Sequence, residues 1–166
     1  MATPKRSSKR SAPPRRRRPA AQPAPRRKLR PAPKPQPTPR PSRFPGPADP
    51  RLVEGINLYN HHQYYAAHDT IEQLWLGTRG PERDFYRGLI QAAVACHHWS
   101  RGNRRGAMTL FRSSSRHLRK YRPDCFGVDV SGFLTRYAEL FGWLRRHRTR
   151  YDARLVPLIT WNRTPV

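Results

Sequence analysis

YYAAHDTIEQLW (Tyr64–Trp75) and GLIQAAVACHH (Gly88–His98) are the two runs that decide the fold of this chain. Each carries apolar residues at helical spacing with a few polar residues set among them. Residues four or seven apart on an α-helix return to nearly the same direction. His68 and Glu72 are four apart, Trp75 is seven from His68, and Gln91 and His98 are seven apart. Tyr64, Ala67, Ile71 and Leu74 flank the first pair, so the expectation is that it points inward. On this reading His68, Glu72, Gln91 and His98 converge between two helices, as a buried constellation.

Further helices are expected on either side. Asp49 is an N-cap residue and Pro50 suits the first helical position, with Leu52, Val53, Ile56 and Tyr59 as the apolar stripe. Asn60–Gln63 reads as a break before the second helix, which runs to about Leu76. Pro81 opens the third, with Glu82 and Asp84 in the first turn, where carboxylates favour the helix dipole. Phe85, Leu89, Ala93 and Cys96 form its stripe as far as about Arg101. Gly102-Asn103 is a turn and cap signal for a fourth helix, Arg104–Tyr121, whose apolar face is Ala107, Leu110, Phe111, Ser114 and Leu118. Cys125–Val128 reads as a loop. Asp129 caps a fifth helix in which Val130, Phe133, Leu134, Tyr137, Leu140, Phe141 and Leu144 repeat at three and four. No strand alternation of useful length occurs. The fold class expected is all-α: a single bundle of about five helices behind a disordered, basic, Pro/Arg-rich N-terminal arm.

Composition supports that division. Residues 1–50 hold 15 of the 19 prolines, 15 of the 34 Lys/Arg and one acid, Asp49. Such a segment has almost nothing to bury against an ordering cost of roughly 1–2 kcal/mol per residue. The expected organisation is a disordered arm over 1–48, a helical bundle over 49–147, and an extension over 148–166 that docks or stays loose. Of the net charge of +24, the first fifty residues contribute +14. The blocks Arg15, Arg16, Arg17, Arg18 and Arg26, Arg27, Lys28, Arg30 point to nucleic acid or another polyanion as partner, bound without sequence reading. Arg105, Arg112, Arg116 and Arg119 share one face of the fourth helix and extend the positive surface. Two cysteines, Cys96 and Cys125, exclude a disulfide framework and indicate a cytoplasmic setting. No apolar run reaches the roughly 18 residues of a membrane span, and the basic N-terminus lacks the apolar segment of a secretory signal. The Leu155–Trp161 patch leaves a homo-oligomer open.

The motif residues resemble the small bacterial helical-bundle family called domain of unknown function 309, also described as predicted metal-dependent hydrolases. The resemblance rests on Asn60, Tyr64, Tyr65, His68, Glu72 and Trp75, then Gly88, Gln91, Ala95 and His98, then Gly102, Asn103, Gly106 and Ala107. It spans about Arg51 to Leu118. The chain departs from the family pattern at four places. Ala66 stands where an acid is usual two before the motif His, Asp69 and Gln73 stand where Glu is usual, and His62 stands where a Gly is expected.

The residues admit three uses. His68, Glu72 and His98 can hold a divalent metal (zinc, iron or manganese), with Gln91, Asp69 and Trp75 orienting the ligands from behind. The same groups can instead hydrogen-bond across the core as a structural network, with Trp75 Nε1 joining it. Metal-free acid–base or ligand-binding use is the third. The two function readings are therefore a metal-dependent hydrolase and a non-catalytic bundle whose basic arm binds polyanions. His97, one helical step of 100° from His98, is expected at an edge, and Cys96 in the core.

Overall fold

The computed structural model describes residue 44, residues 46–147 and residues 149–162; these lie in one compact unit, Pro37–Val166. The basic blocks of the arm, Arg15–Arg18 and Arg26–Arg30, fall outside the described residues. Five α-helices occur among the described residues: α1 (Pro50–Asn60), α2 (Tyr64–Gly77), α3 (Arg83–Ser100), α4 (Arg104–Leu118) and α5 (Val130–Arg146). The all-α reading holds, with each helix within two or three residues of its expected bounds. Among the described residues, strand is confined to a hairpin of two-residue strands, β1 (Asp124–Cys125) and β2 (Val128–Asp129). Its turn residues, Phe126 and Gly127, both have positive φ (51° and 83°), the geometry that suits a two-residue hairpin.

The caps explain where the helices begin. The Asp49 carboxylate accepts from Arg51 N, the Asn103 amide oxygen from Gly106 N, and the Asp129 carboxylate from Gly132 N. Each satisfies an N–H that the first helical turn leaves open. Between α1 and α2 the chain reverses at His62, φ 62°. That left-handed conformation is what a glycine adopts without steric cost, which accounts for the glycine of the family pattern at this position.

Consecutive helices pack as neighbours, α1 on α2, α2 on α3 and α3 on α4. Gly55 sets how near α1 comes to α2: a Cβ there would stand 2.4 Å from Ile71 Cγ1. Gly88 does the same for α3 against α4, where a Cβ would meet Leu118 at 2.7 Å. α5 closes the core. All seven residues of its expected stripe are buried, and its rings pack between α1 and α4: Phe133 on Tyr59, and Phe111 stacked on Phe141 at 4.5 Å. Cys96 is fully buried beside the Tyr59 hydroxyl, and burial pushes its thiol up to about 12, so it is a core group rather than a thiolate.

Beyond α5 the chain returns across the bundle. Val156 and Ile159 are buried, while Leu155 and Leu158 remain exposed. Asn60, at the end of α1, fastens this segment in both directions: its amide donates to Ile159 O and accepts from Ile159 N, each at 2.9 Å. None of the described helices is long and apolar enough to cross a membrane.

Candidate functional site

α2 presents Tyr64, Ala67, Ile71 and Leu74 to the core, each at most 5% exposed. His68 and Glu72 follow Ala67 and Ile71 by one residue, which turns them 100° around the helix to its rim. Their side chains are 24% and 40% exposed. His68 and Glu72, expected to be buried, are therefore only half-buried, because the residues flanking them in sequence occupy the inner face themselves.

On this rim three groups converge. His68 Nδ1 is 2.8 Å from Asp69 Oδ1, and His68 Nε2 is 3.9 Å from Glu72 Oε2. One ligand atom from each of His68, Asp69 and Glu72 lies within 4.8 Å of the others. An ionised carboxylate can only accept, so Nδ1 donates to Asp69 and Nε2 is turned toward Glu72. Tyr65, 67% exposed, stacks on His68 with centroids 6.0 Å apart. Its ring also meets His97 of α3 at 6.2 Å.

Glu72 leads into a small cavity of about 250 Å³ that it lines with Trp75, Arg87, Ile90 and Gln91. The Arg83 guanidinium lies 3.8 Å over the Trp75 ring. Trp75 Nε1 and Gln91 Oε1 are both buried without a hydrogen-bond partner. The cross-core network expected to link them is thus not formed: the pocket brings a donor and an acceptor together without joining them.

His98 is placed elsewhere. Asn103 Nδ2 donates to its Nδ1 at 3.0 Å, and Gly106 leaves it room, since a Cβ at that position would lie 3.0 Å from His98 Cγ. The Asn103 backbone N–H also donates to His98 O at 2.8 Å. His98, Asn103 and Gly106 therefore form one fastening at the α3–α4 junction, and the histidine of α3 that looks toward α2 is His97. Tyr65 and His97 are the residues the sequence reading left out of the site. Their signal was the three-residue step from Tyr65 to His68 and the step of 100° that separates His97 from His98.

The motif residues placed here fall in the segment that comparison with known families identifies. The model for the domain of unknown function (DUF309) matches residues 52–110. Over those residues, about a third of its length, the chain is similar to the domain of unknown function 309 family. The DUF309 segment covers most of α1, all of α2 and α3, and the first half of α4, so it contains both the rim cluster and the α3–α4 fastening. An uncharacterized protein of Aquifex aeolicus (strain VF5) is 25% identical over 92 residues, which is 55% of this chain and 28% of that protein. The chain thus spans under a third of that relative's length.

Proposed function

We propose that the α2 rim of this DUF309 segment is a divalent-cation site, with His68 Nε2 and the Glu72 carboxylate as protein ligands, serving a metal-dependent hydrolase. The observation that carries this reading is the bonding of His68. Asp69 holds its Nδ1 at 2.8 Å and leaves Nε2 free 3.9 Å from Glu72 Oε2. Two donors on one tetrahedral zinc lie about 3.4 Å apart, given bond lengths of about 2.0–2.1 Å, so the spacing fits with a small side-chain adjustment. Imidazole plus carboxylate suits zinc, manganese or iron. A bound ion would supply a Lewis acid that lowers the pKa of water it holds.

The chain's own residues supply the rest. Asp69 fixes the tautomer and orientation of His68, the part a carboxylate plays behind a metal-ligating histidine. Tyr65 covers one face of the imidazole. Trp75 and Gln91 line the adjoining cavity, with the Trp75 indole N–H and the Gln91 carbonyl oxygen buried behind its wall without partners. In this reading His98 belongs to the framework rather than to the ligand set. The buried thiol of Cys96 fits a reducing, cytoplasmic setting.

The test is metal content of the purified full chain, followed by titration with zinc, manganese and iron(II) of the parent and of His68→Ala. One equivalent bound by the parent and lost in the variant supports the site. No stoichiometric binding of any of the three rejects it.

A second reading, that the protein binds nucleic acid or another polyanion, draws on the charge of +24 and on the exposed Arg105, Arg112 and Arg116 along α4 with Arg119 in the turn that follows it. Comparing DNA retention of the full chain at two salt concentrations tests it. Retention that does not weaken with salt would be inconsistent with counterion release.

A further inference from the structure

A second cavity lies away from the α2 rim, where the α3–α4 turn meets the end of α5. It has a volume of about 950 Å³. One wall is Trp99, Ser100 and Gly102; the other is Leu144–His147 together with Thr149, Arg150 and Tyr151, and Arg104 stands between them. Four arginines (Arg104, Arg145, Arg146 and Arg150) line it, and among the described residues no carboxylate does. Asp152, the nearest acid in the chain, pairs with Arg154 at 2.9 Å.

Helix-end chemistry accounts for only part of this charge. Arg104 donates to Arg145 O at 2.8 Å and to His147 O at 3.4 Å. It thereby satisfies carbonyls that the last turn of α5 leaves open. The end of α5 carries a partial charge of about −0.5, and the start of α4, which lines the same cavity, about +0.5. These offset each other and leave the guanidinium charges uncompensated. Arg145, Arg146 and Arg150 are exposed, and among the described residues no ion pair ties their side chains to an acid.

A second observation points the same way. Trp99 is 3% exposed, and its Nε1–H is buried with no hydrogen-bond partner. Tyr151 packs edge-on against it at 4.9 Å and has its own hydroxyl engaged by Tyr64. Leaving a buried donor unmade is costly, so a residue of this wall holds a donor without an acceptor just behind the cavity surface. His147 Nδ1 is likewise used within the protein, donating to Trp143 O. The cavity thus offers donors and positive charge, and its ligand must bring acceptors and negative charge. Phosphoryl oxygens match both, and planar guanidinium groups bind them in pairs.

We propose that this cavity is a binding site for a phosphate group, presented by a nucleoside monophosphate or by a nucleic-acid strand. The site is separate from the α2 rim and stands whether or not that rim binds a metal.

The experiment uses the full chain, labelled with ¹⁵N and titrated with AMP and with a short oligodeoxythymidine at about 0.15 M salt. Trp99→Phe assigns the Trp99 indole N–H resonance by its disappearance. The expected result is that this resonance shifts with at least one of the two probes. Arg146→Glu/Arg150→Glu should then weaken that probe roughly tenfold more than Arg112→Glu/Arg116→Glu, a control of equal charge change on α4. The milder Arg150→Gln should weaken it in the same direction. Saturation by AMP assigns a monoester, and a response to the oligonucleotide alone assigns a strand. An indole resonance unmoved by both probes overturns the proposal. So do equal losses in the cavity and control variants, which would mean that charge acts diffusely over the surface and the N-terminal arm.

Discussion

His68 and His98 belong to one motif, yet they end in regions of opposite character. His68 stands on the rim of α2 with one nitrogen held by Asp69 and the other turned toward Glu72 and solvent. His98 is wedged at the α3–α4 junction, bonded by Asn103 and pressed against Gly106. The first arrangement leaves a lone pair available for a ligand. The second uses its imidazole to fix how one helix leaves another. A motif can therefore mix residues of chemistry with residues of framework, and what separates them is whether a polar atom is left unspent.

That contrast can be broken by exchanging the roles. His68→Ala should lower cation affinity by roughly ten- to a hundredfold or more while changing unfolding free energy by no more than about 0.5 kcal/mol. His98→Ala should show the reverse pattern, with cation binding kept and stability lowered; calorimetric titration and urea unfolding of both variants check the pair. Next in size is Asn103→Ala, which removes the α4 cap and the bond to His98 together and should cost about 1–2 kcal/mol. Asp69→Asn on the rim should cost nearly nothing in unfolding but weaken the cation, since its amide can present a donor to His68 Nδ1.

A titration sharpens the comparison further along the α3–α4 contact. Burial holds His117 below its usual value, with Asp84 at 3.4 Å opposing the shift only in part. The unfolded chain therefore takes up this proton first, so stability should decline as pH falls below about 6.5. Asp84 is held below the usual carboxylate range, chiefly by its hydrogen bond from Lys120. Its contribution is present above about 3.8 and is lost as pH falls further. Melting curves between pH 7 and pH 5 should show the first effect, and His117→Gln should flatten it. The smallest change expected is at the α1–α2 turn. His62→Gly relieves a left-handed residue at a cost of about 1 kcal/mol in unfolded-chain entropy and loses the contact of His62 Nδ1 with the Tyr64 hydroxyl at 2.9 Å, so the net shift should stay within about 1 kcal/mol.

The helices were legible because their signals are local. Asp49, Asn103 and Asp129 cap where a side-chain oxygen can reach an open N–H, and the α5 stripe is buried at every expected position. The β1–β2 hairpin was read as a loop because two-residue strands carry no alternation to detect. The site was half legible. Periodicity gives the azimuth of a residue and not the neighbour it meets. Gln91 and His98 share a direction on α3, but seven residues separate them by about 10.5 Å along the axis. Packed helices cross at an angle, so one azimuth meets different partners at different heights. Gln91 accordingly reaches the cavity beside Glu72 and Trp75, whereas His98 reaches Asn103. The rim position of His68 and Glu72 was hidden for a related reason: a residue beside an apolar stripe in sequence is a full 100° from it in space.

Paramagnetic broadening by Mn²⁺ tests the division between rim and fastening most directly. Added in small amounts to the ¹⁵N-labelled full chain, the ion should bleach the amide signals around His68, Asp69 and Glu72 first, and those of His98, Asn103 and Gly106 only at higher amounts. Broadening centred on the α3–α4 junction, or spread without a centre, would contradict the account.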